Sequence, residues 1–141
     1  MQEVKERLLT SWLMMITAVD SERIPTQLPY NEAVVCNLLY TNKDKEITAT
    51  DLCTMTKIMK SQMNRILTNL EEKGLIERVR SSEDKRNMIV RLIEQENSVY
   101  LTQHENTLKY VDRLISKLGA KRAEEIIELF TLIANYANDQ E

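Results

Sequence analysis

The spacing of apolar residues is helical along most of the chain and changes to alternation in one place, directly after Gly74. Two short alternating runs, 75–80 and 88–92, flank the polar segment 81–87, which is the pattern of a β-hairpin. The 141 residues include only two glycines and two prolines, so there are few positions at which regular structure would break. We therefore predict a mainly α fold that carries one small β-hairpin.

Helical periodicity and end signals divide the remainder into predicted helices. Thr48 followed by Asp51 resembles a capping box, and Gly74 suits the left-handed conformation that ends a helix. In the helix before Gly74 the predicted apolar stripe is Met59, Met63, Ile66, Leu67 and Leu70. The predicted helices cover about 2–22, 30–41, 48–55, 60–73, 95–118 and 120–138.

Charge is distributed unevenly along the chain. The net charge is −3, yet segment 57–91 holds nine Lys or Arg against five Asp or Glu, which makes it +4 and the remainder −7. A basic module on an acidic scaffold is the electrostatic footprint of a polyanion-binding protein. An ordinary solvated mixture of charges is the alternative.

The order short helix, turn, longer helix and hairpin predicts a winged helix-turn-helix. The major groove of B-DNA is about 12 Å wide and admits one α-helix, which must turn an apolar side to the core and a polar side to the bases. The longer helix has this composition in its first two turns. The residues that we expect to meet DNA there are Lys60, Ser61, Gln62, Asn64 and Arg65.

The predicted wing offers a second basic surface. Arg80, Lys85 and Arg86 are placed to meet the DNA backbone or the minor groove, where negative potential attracts cations. Asp84 has the wrong charge for DNA, so we expect it to brace Arg86 or another wing arginine through a charge-assisted hydrogen bond. A solvated hairpin tip is the alternative.

The run from Asn69 to Arg78, the Asp84-x-Arg86 element of the wing and the order of the flanking helices resemble the MarR family of bacterial transcriptional regulators. The resemblance covers nearly the whole chain. It implies one MarR-like domain, in which 30–93 is the winged DNA-binding lobe and 1–23 and 95–138 are dimerisation helices. It also implies a homodimeric repressor that binds a near-palindromic DNA operator and is released by a small phenolic or lipophilic effector.

The sequence departs from the family pattern in two places. The family has Gly or Asn near 57 and a Ser, Thr or Asp cap near 59, where this chain has Lys57 and Met59. Ile93 and Glu96 stand where the family commonly has Thr and Gly. These departures affect the register of DNA contacts and the entry to the helix at about 95.

An effector pocket, if it follows the family, is expected to be lined by Trp12, Met15, Tyr30 and Tyr40, with core packing as the alternative role for each. No cofactor is expected. A single histidine, His104, is too few for a metal centre of three or four protein ligands. Cys36 and Cys53 are isolated in sequence and are expected to be buried thiols in a reducing cytoplasm, with a cysteine-based redox regulator as the alternative.

Other function classes fit the sequence less well. The chain has no nucleophile–base pair, phosphate-binding glycine loop or metal cluster, so an enzyme is not expected. Its first residues do not form a signal peptide, and no apolar run approaches the ~20 residues of a membrane span. A winged-helix protein-interaction module without DNA binding remains an alternative, since fold does not determine function.

Overall fold

A computed structural model describes residues 1–19, 28–83, 86–94 and 98–139 of the chain. The order of the predicted helices is confirmed. The end of the predicted helix 2–22 and the start of the predicted helix 95–118 fall partly outside the described residues, in which the latter helix begins at Val99. The elements are α1 (Gln2–Ala18), α2 (Tyr30–Thr41), β1 (Ile47–Thr48), α3 (Ala49–Thr56), α4 (Lys60–Glu72), β2 (Ile76–Arg80), β3 (Met88–Leu92), α5 (Val99–Leu118) and α6 (Ala120–Asp139).

The predicted hairpin is confirmed, and the described residues add a third strand to it. β2 and β3 pair antiparallel with Arg78 opposite Val90, and β1 pairs on the other side of β3 with Ile47 opposite Val90. The strand order is therefore β1-β3-β2, with the second hairpin strand in the centre. The sequence did not predict β1, because two residues are too few to show alternation.

The hydrophobic core lies between α2, α3, α4 and the inner face of the sheet. Burying one such aliphatic side chain contributes about 1.5–3 kcal/mol, so this cluster is the main source of stability for the winged lobe. Tyr100, near the start of α5, closes one side of it. The largest fully buried side chains are Leu52, Met63, Leu67, Leu70, Val35 and Cys36.

The start of α3 is held by the predicted capping box. The Asp51 N–H donates to Thr48 Oγ1 over 3.1 Å, and the Thr48 N–H donates to Asp51 Oδ2 over 2.9 Å. Two N–H groups that a helix start leaves without partners are thus satisfied reciprocally. This places the helix immediately after β1.

The turn between α3 and α4 is built without the expected glycine. Lys57 adopts the left-handed conformation with φ of 63°, and its N–H donates to Cys53 O over 2.8 Å. Met59 is the N-cap of α4 and makes no side-chain cap. The prediction that Met59 belongs to the apolar stripe is wrong: its side chain is 72% exposed, because the cap residue precedes the first helical turn and faces away from the core.

The end of α4 is tied both to the backbone and to α2. The Gly74 N–H donates to Glu71 O and the Leu75 N–H to Leu70 O, which is the Schellman arrangement. Lys73 Nζ lies 2.5 Å from Oε1 of the buried Glu32. Because an ion pair satisfies the buried carboxylate, α2 and the end of α4 are held in one relative position.

The flanking helices carry their apolar residues outside this core. No residue of α1 and none of the described residues of α6 is buried. No described helix is long and apolar enough to cross a bilayer. The large exposed side chains include Leu8, Trp12 and Leu13 of α1 and Ile127, Phe130, Ile133 and Tyr136 of α6.

Candidate nucleic-acid interface

Helix α4 has one buried side and one exposed polar side. Met63, Ile66, Leu67 and Leu70 are buried in the core, as predicted for the apolar stripe. Ser61, Gln62 and Arg65 are exposed on the opposite side, within the first two turns. The helix therefore presents hydrogen-bonding groups of several kinds on a surface that is free of the core.

Lys60 and Asn64 lie at the margin of that polar side. Both are exposed, and Lys60 is the first residue of the helix. Among the described side chains, none caps the start of α4. The first N–H groups of α4 are therefore not capped by a described side chain, and together with the positive end of the helix dipole and Lys60 they favour an anion such as phosphate.

The wing begins with a defined closure at Ser81. The buried Ser81 donates its N–H to Asn87 O over 2.9 Å, and its Oγ lies 3.4 Å from Glu46 Oε2. Arg80 and Arg86 are exposed on either side of this closure. The predicted DNA contact Lys85 and the predicted brace Asp84 lie outside the described residues.

Arg78 is a functional candidate that the sequence analysis did not identify. It lies on β2, yet its guanidinium contacts α4 at Thr68 and Glu71. Strand alternation places residues 76, 78 and 80 on one face, and Ile76 is in the core. The sequence signal for this role is an arginine two residues after an apolar strand residue, Ile76.

A cleft of about 320 Å³ lies between α2 and α5. Of the four residues predicted for an effector pocket, Tyr30 lines this cleft. Tyr40 packs against the lining residue His104 with ring centroids 4.7 Å apart, whereas Trp12 and Met15 are exposed on α1 and are not among the lining residues. The lining residues are Leu28, Tyr30, Ala33, Val34, Asn37, Tyr100, Gln103, His104 and Thr107.

The two cysteines have different environments. Burial and, to a smaller extent, the neighbouring Glu32 carboxylate raise the pKa of Cys36 to about 12, while Lys73 acts in the opposite sense. Cys36 is therefore a thiol at neutral pH, which disfavours the thiolate chemistry that a sensor needs. Cys53 is partly buried. Among the described residues, no three His, Cys, Asp or Glu side chains are arranged to hold a metal ion.

Three solved structures with the same fold are described as transcriptional regulators or repressors. BldR from Sulfolobus solfataricus is 22% identical, with a TM-score of 0.63 over 96% of this chain and 99% of that one. PcaV from Streptomyces coelicolor, solved with its natural ligand, is 16% identical, with a TM-score of 0.65 over 95% and 91%. The adhesin competence repressor AdcR from Streptococcus pyogenes is 18% identical, with a TM-score of 0.60 over 95% and 97%. The predicted MarR-type winged helix-turn-helix fold is confirmed.

Sequence comparison identifies the family more narrowly. No curated protein sequence matches the chain significantly. A family model described as "Transcriptional regulator SarA/Rot" matches residues 23–103, which is more than half of the chain and includes the helix-turn-helix and the wing. The chain therefore belongs to the SarA/Rot family of transcriptional regulators.

Proposed function

We propose that the protein is a homodimeric repressor that binds a near-palindromic DNA operator in the cytoplasm and leaves it when a small molecule binds. The observation that carries this proposal is the two-sided helix α4, whose polar side is exposed, as are Arg80 and Arg86 of the wing. Membership of a family of transcriptional regulators supports it. The helix would enter the major groove, and the wing would contact the neighbouring backbone or minor groove.

The exposed side chains of α4 suit direct readout of bases. Arg65 can pair with guanine O6 and N7, and Gln62 and Asn64 can pair with adenine N6 and N7. Ser61 and Lys60 precede them, where a recognition helix meets phosphate. We propose these five residues together with Arg80, Lys85 and Arg86 as the DNA contacts, with Asp84 as the brace of the wing.

The apolar surfaces of α1, α5 and α6 support a dimer. Trp12 and Phe130 are more than half exposed in the single chain, and they are accompanied by other large apolar residues on the same helices. Exposed apolar residues in such numbers are normally covered by another protein surface. A two-fold dimer would cover it and would set two α4 helices about 34 Å apart, one turn of DNA.

The cleft between α2 and α5 is the proposed effector site. It lies between a helix of the winged lobe and a proposed dimerisation helix, so a bound ligand would alter their relative position. Its lining combines Ala33, Val34 and Leu28 with the polar groups of Asn37 and Tyr100. A small phenolic or other lipophilic compound with one or two hydrogen-bonding groups would match this lining. The natural-ligand complex of PcaV is a precedent within the fold.

The DNA proposal is tested by selecting bound fragments from random DNA and then measuring affinity over a salt series. We expect Arg86→Ala to weaken binding to all sequences and to reduce the salt slope by about one, as for a phosphate contact. Gln62→Ala and Arg65→Ala should instead change the selected sequence. Each should lose about 1–3 kcal/mol on the original operator.

Lys121→Ala on α6 is the control, because it removes one exposed positive charge far along the chain from the winged lobe. If the wild-type protein retards no DNA at low salt, or if Arg86→Ala binds as well as the control, the proposal fails.

The effector site has its own test. In a panel of phenolic compounds, those that cause the protein to release DNA should also raise the melting temperature of the protein. Val34→Trp, which fills the cleft, should keep DNA binding and lose release. Thr41→Trp makes the same change on the same helix outside the cleft and should keep both. Release that persists in Val34→Trp would place the effector elsewhere.

A further inference from the structure

Arg78 lies on β2 in phase with buried apolar residues. It alternates with Ile76, which is 2% exposed, and it lies opposite Val90, which is 3% exposed. Side chains two apart on a strand, and those directly opposite on its neighbour, share one face of the sheet. Arg78 is therefore on the inner face, beside α4, and only 22% of its side chain is exposed.

The guanidinium contacts α4 along one flank of the helix. Nη2 donates to Thr68 Oγ1 over 3.1 Å and to Asn64 O over 3.5 Å. Nε lies 2.9 Å from Glu71 Oε1, although its N–H does not point along a hydrogen bond, so this contact is an ion pair only. Residues 64, 68 and 71 are four and three apart, which places them on one side of the helix over two turns.

This flank lies between the two functional sides of α4. The buried stripe contains Leu67 and Leu70, and the exposed side contains Ser61 and Arg65. Apolar packing on the stripe holds the helix against the core but is non-directional. The planar, forked guanidinium adds directional contacts. Its two acceptors, Thr68 Oγ1 and Asn64 O, are themselves joined by a hydrogen bond of 2.9 Å, which Thr68 Oγ1 donates.

We propose that Arg78 is a positioning residue that sets the rotation of α4 relative to the wing and thereby the fidelity of base readout, without itself contacting DNA. The proposal rests on the DNA-binding function proposed above. A rotated α4 would keep its backbone contacts to DNA while Gln62 and Arg65 lost their register with the base edges. The affinity for the specific operator would then fall more than the affinity for non-specific DNA.

The test compares Arg78→Gln and Arg78→Lys with the control Arg91→Gln. Arg91 is exposed on β3 opposite Glu77, which places it on the other face of the sheet, so its substitution removes the same charge without touching α4. Affinities for the selected operator and for an unrelated duplex are measured over a salt series, at a temperature where all variants are folded.

We expect Arg78→Gln to reduce the ratio of specific to non-specific affinity by about tenfold, the size of one mispaired base contact, with an unchanged non-specific salt slope. Arg78→Lys should not restore the ratio, because an ammonium lacks the fork. Thr68→Val should lower the ratio in the same direction, and the double variant should lose less than the sum of the two.

Two results would overturn the proposal. Uniform weakening on all sequences with a salt slope reduced by about one would make Arg78 a phosphate contact. A lower melting temperature with an unchanged specificity ratio would make it an ordinary stabilising residue.

Amide hydrogen exchange separates this proposal from the DNA proposal. We expect the amides of residues 68–72 to exchange faster in Arg78→Gln than in Arg91→Gln, with or without DNA. Equal exchange in the two variants would refute the positioning of α4. A wild-type protein that binds no DNA would refute the DNA function, while faster exchange in Arg78→Gln would still support the contact of Arg78 with α4.

Discussion

Lys57 shows how a single residue can depart from a family pattern while the turn it occupies is kept. Among the described residues it is the only non-glycine with positive φ. Its own N–H bonds to Cys53 O, and the following Ile58 N–H donates to Thr56 Oγ1 over 3.2 Å. Hydrogen bonds on both sides therefore hold the left-handed conformation against its intrinsic cost, which is about 1–2 kcal/mol for a residue with a Cβ.

We predict that Lys57→Gly raises the free energy of unfolding by about 0.5–1 kcal/mol, since the relieved strain is partly offset by the greater backbone entropy of unfolded glycine. Urea denaturation measures the change. Lys57→Ala is the control, because it removes the charge and keeps the Cβ. Equal stabilities of the Gly and Ala variants would mean that the turn carries no strain at this position.

Cys36 makes stability sensitive to alkaline pH. Burial and Glu32 raise its pKa from 9.0 to about 12 in the folded chain. Below about pH 9 the thiol is neutral in both the folded and the unfolded states; above it the unfolded chain ionises first, so folding stability is lost as pH rises towards 12. Burial also raises the pKa of Tyr100, with the same sign.

We therefore predict that the urea midpoint falls between about pH 9 and 11, and that Cys36→Ala makes this fall less steep. Cys53→Ala should leave the slope as it is in the wild type. If the urea midpoint falls equally steeply with pH in the wild type and both variants, Cys36 ionisation does not contribute to the loss of stability.

At the scale of elements, α3 is short, and much of its stability depends on the capping of its first turn. A helix of eight residues is marginal without packing or caps. Leu52 is its fully buried anchor, and the Thr48–Asp51 capping box satisfies its first turn.

Thr48→Ala should lower the free energy of unfolding by about 1 kcal/mol, because it removes the oxygen that accepts the Asp51 N–H. Thr50→Ala removes an exposed hydroxyl from the same turn and should change stability by less than about 0.5 kcal/mol. If chemical denaturation gives the same stability for the two variants, the cap is not a significant stabilising feature.

At the scale of the whole molecule, many large apolar side chains of the described chain lie outside its core and are exposed. We predict that the wild type is a dimer by light scattering at micromolar concentration and that Phe130→Glu is a monomer with weaker operator binding. The reason is that a charge would be buried without a partner in the interface. Thr131→Glu adds the same charge one residue along α6, on its polar side, and should remain dimeric. A monomeric wild type would contradict this prediction directly.

The sequence by itself determined the elements and the lobe that they form. Period and end signals located α2, α3, α4 and the hairpin, because these depend on local spacing and on caps within a few residues. The same reasoning selected the outer residues of α4. Their DNA contacts remain a prediction.

Only the tertiary structure decided how distant residues meet. It placed β1 on the hairpin, paired Glu32 with Lys73 across 41 positions, turned Arg78 inwards onto α4 and opened the cleft beside His104. It also placed Val34 and Ala33 on the cleft and left Val35 and Cys36 in the core, although all four lie in one apolar run. Such contacts depend on which surfaces pack together. The spacing of residues along one helix or strand does not identify the element that packs against it.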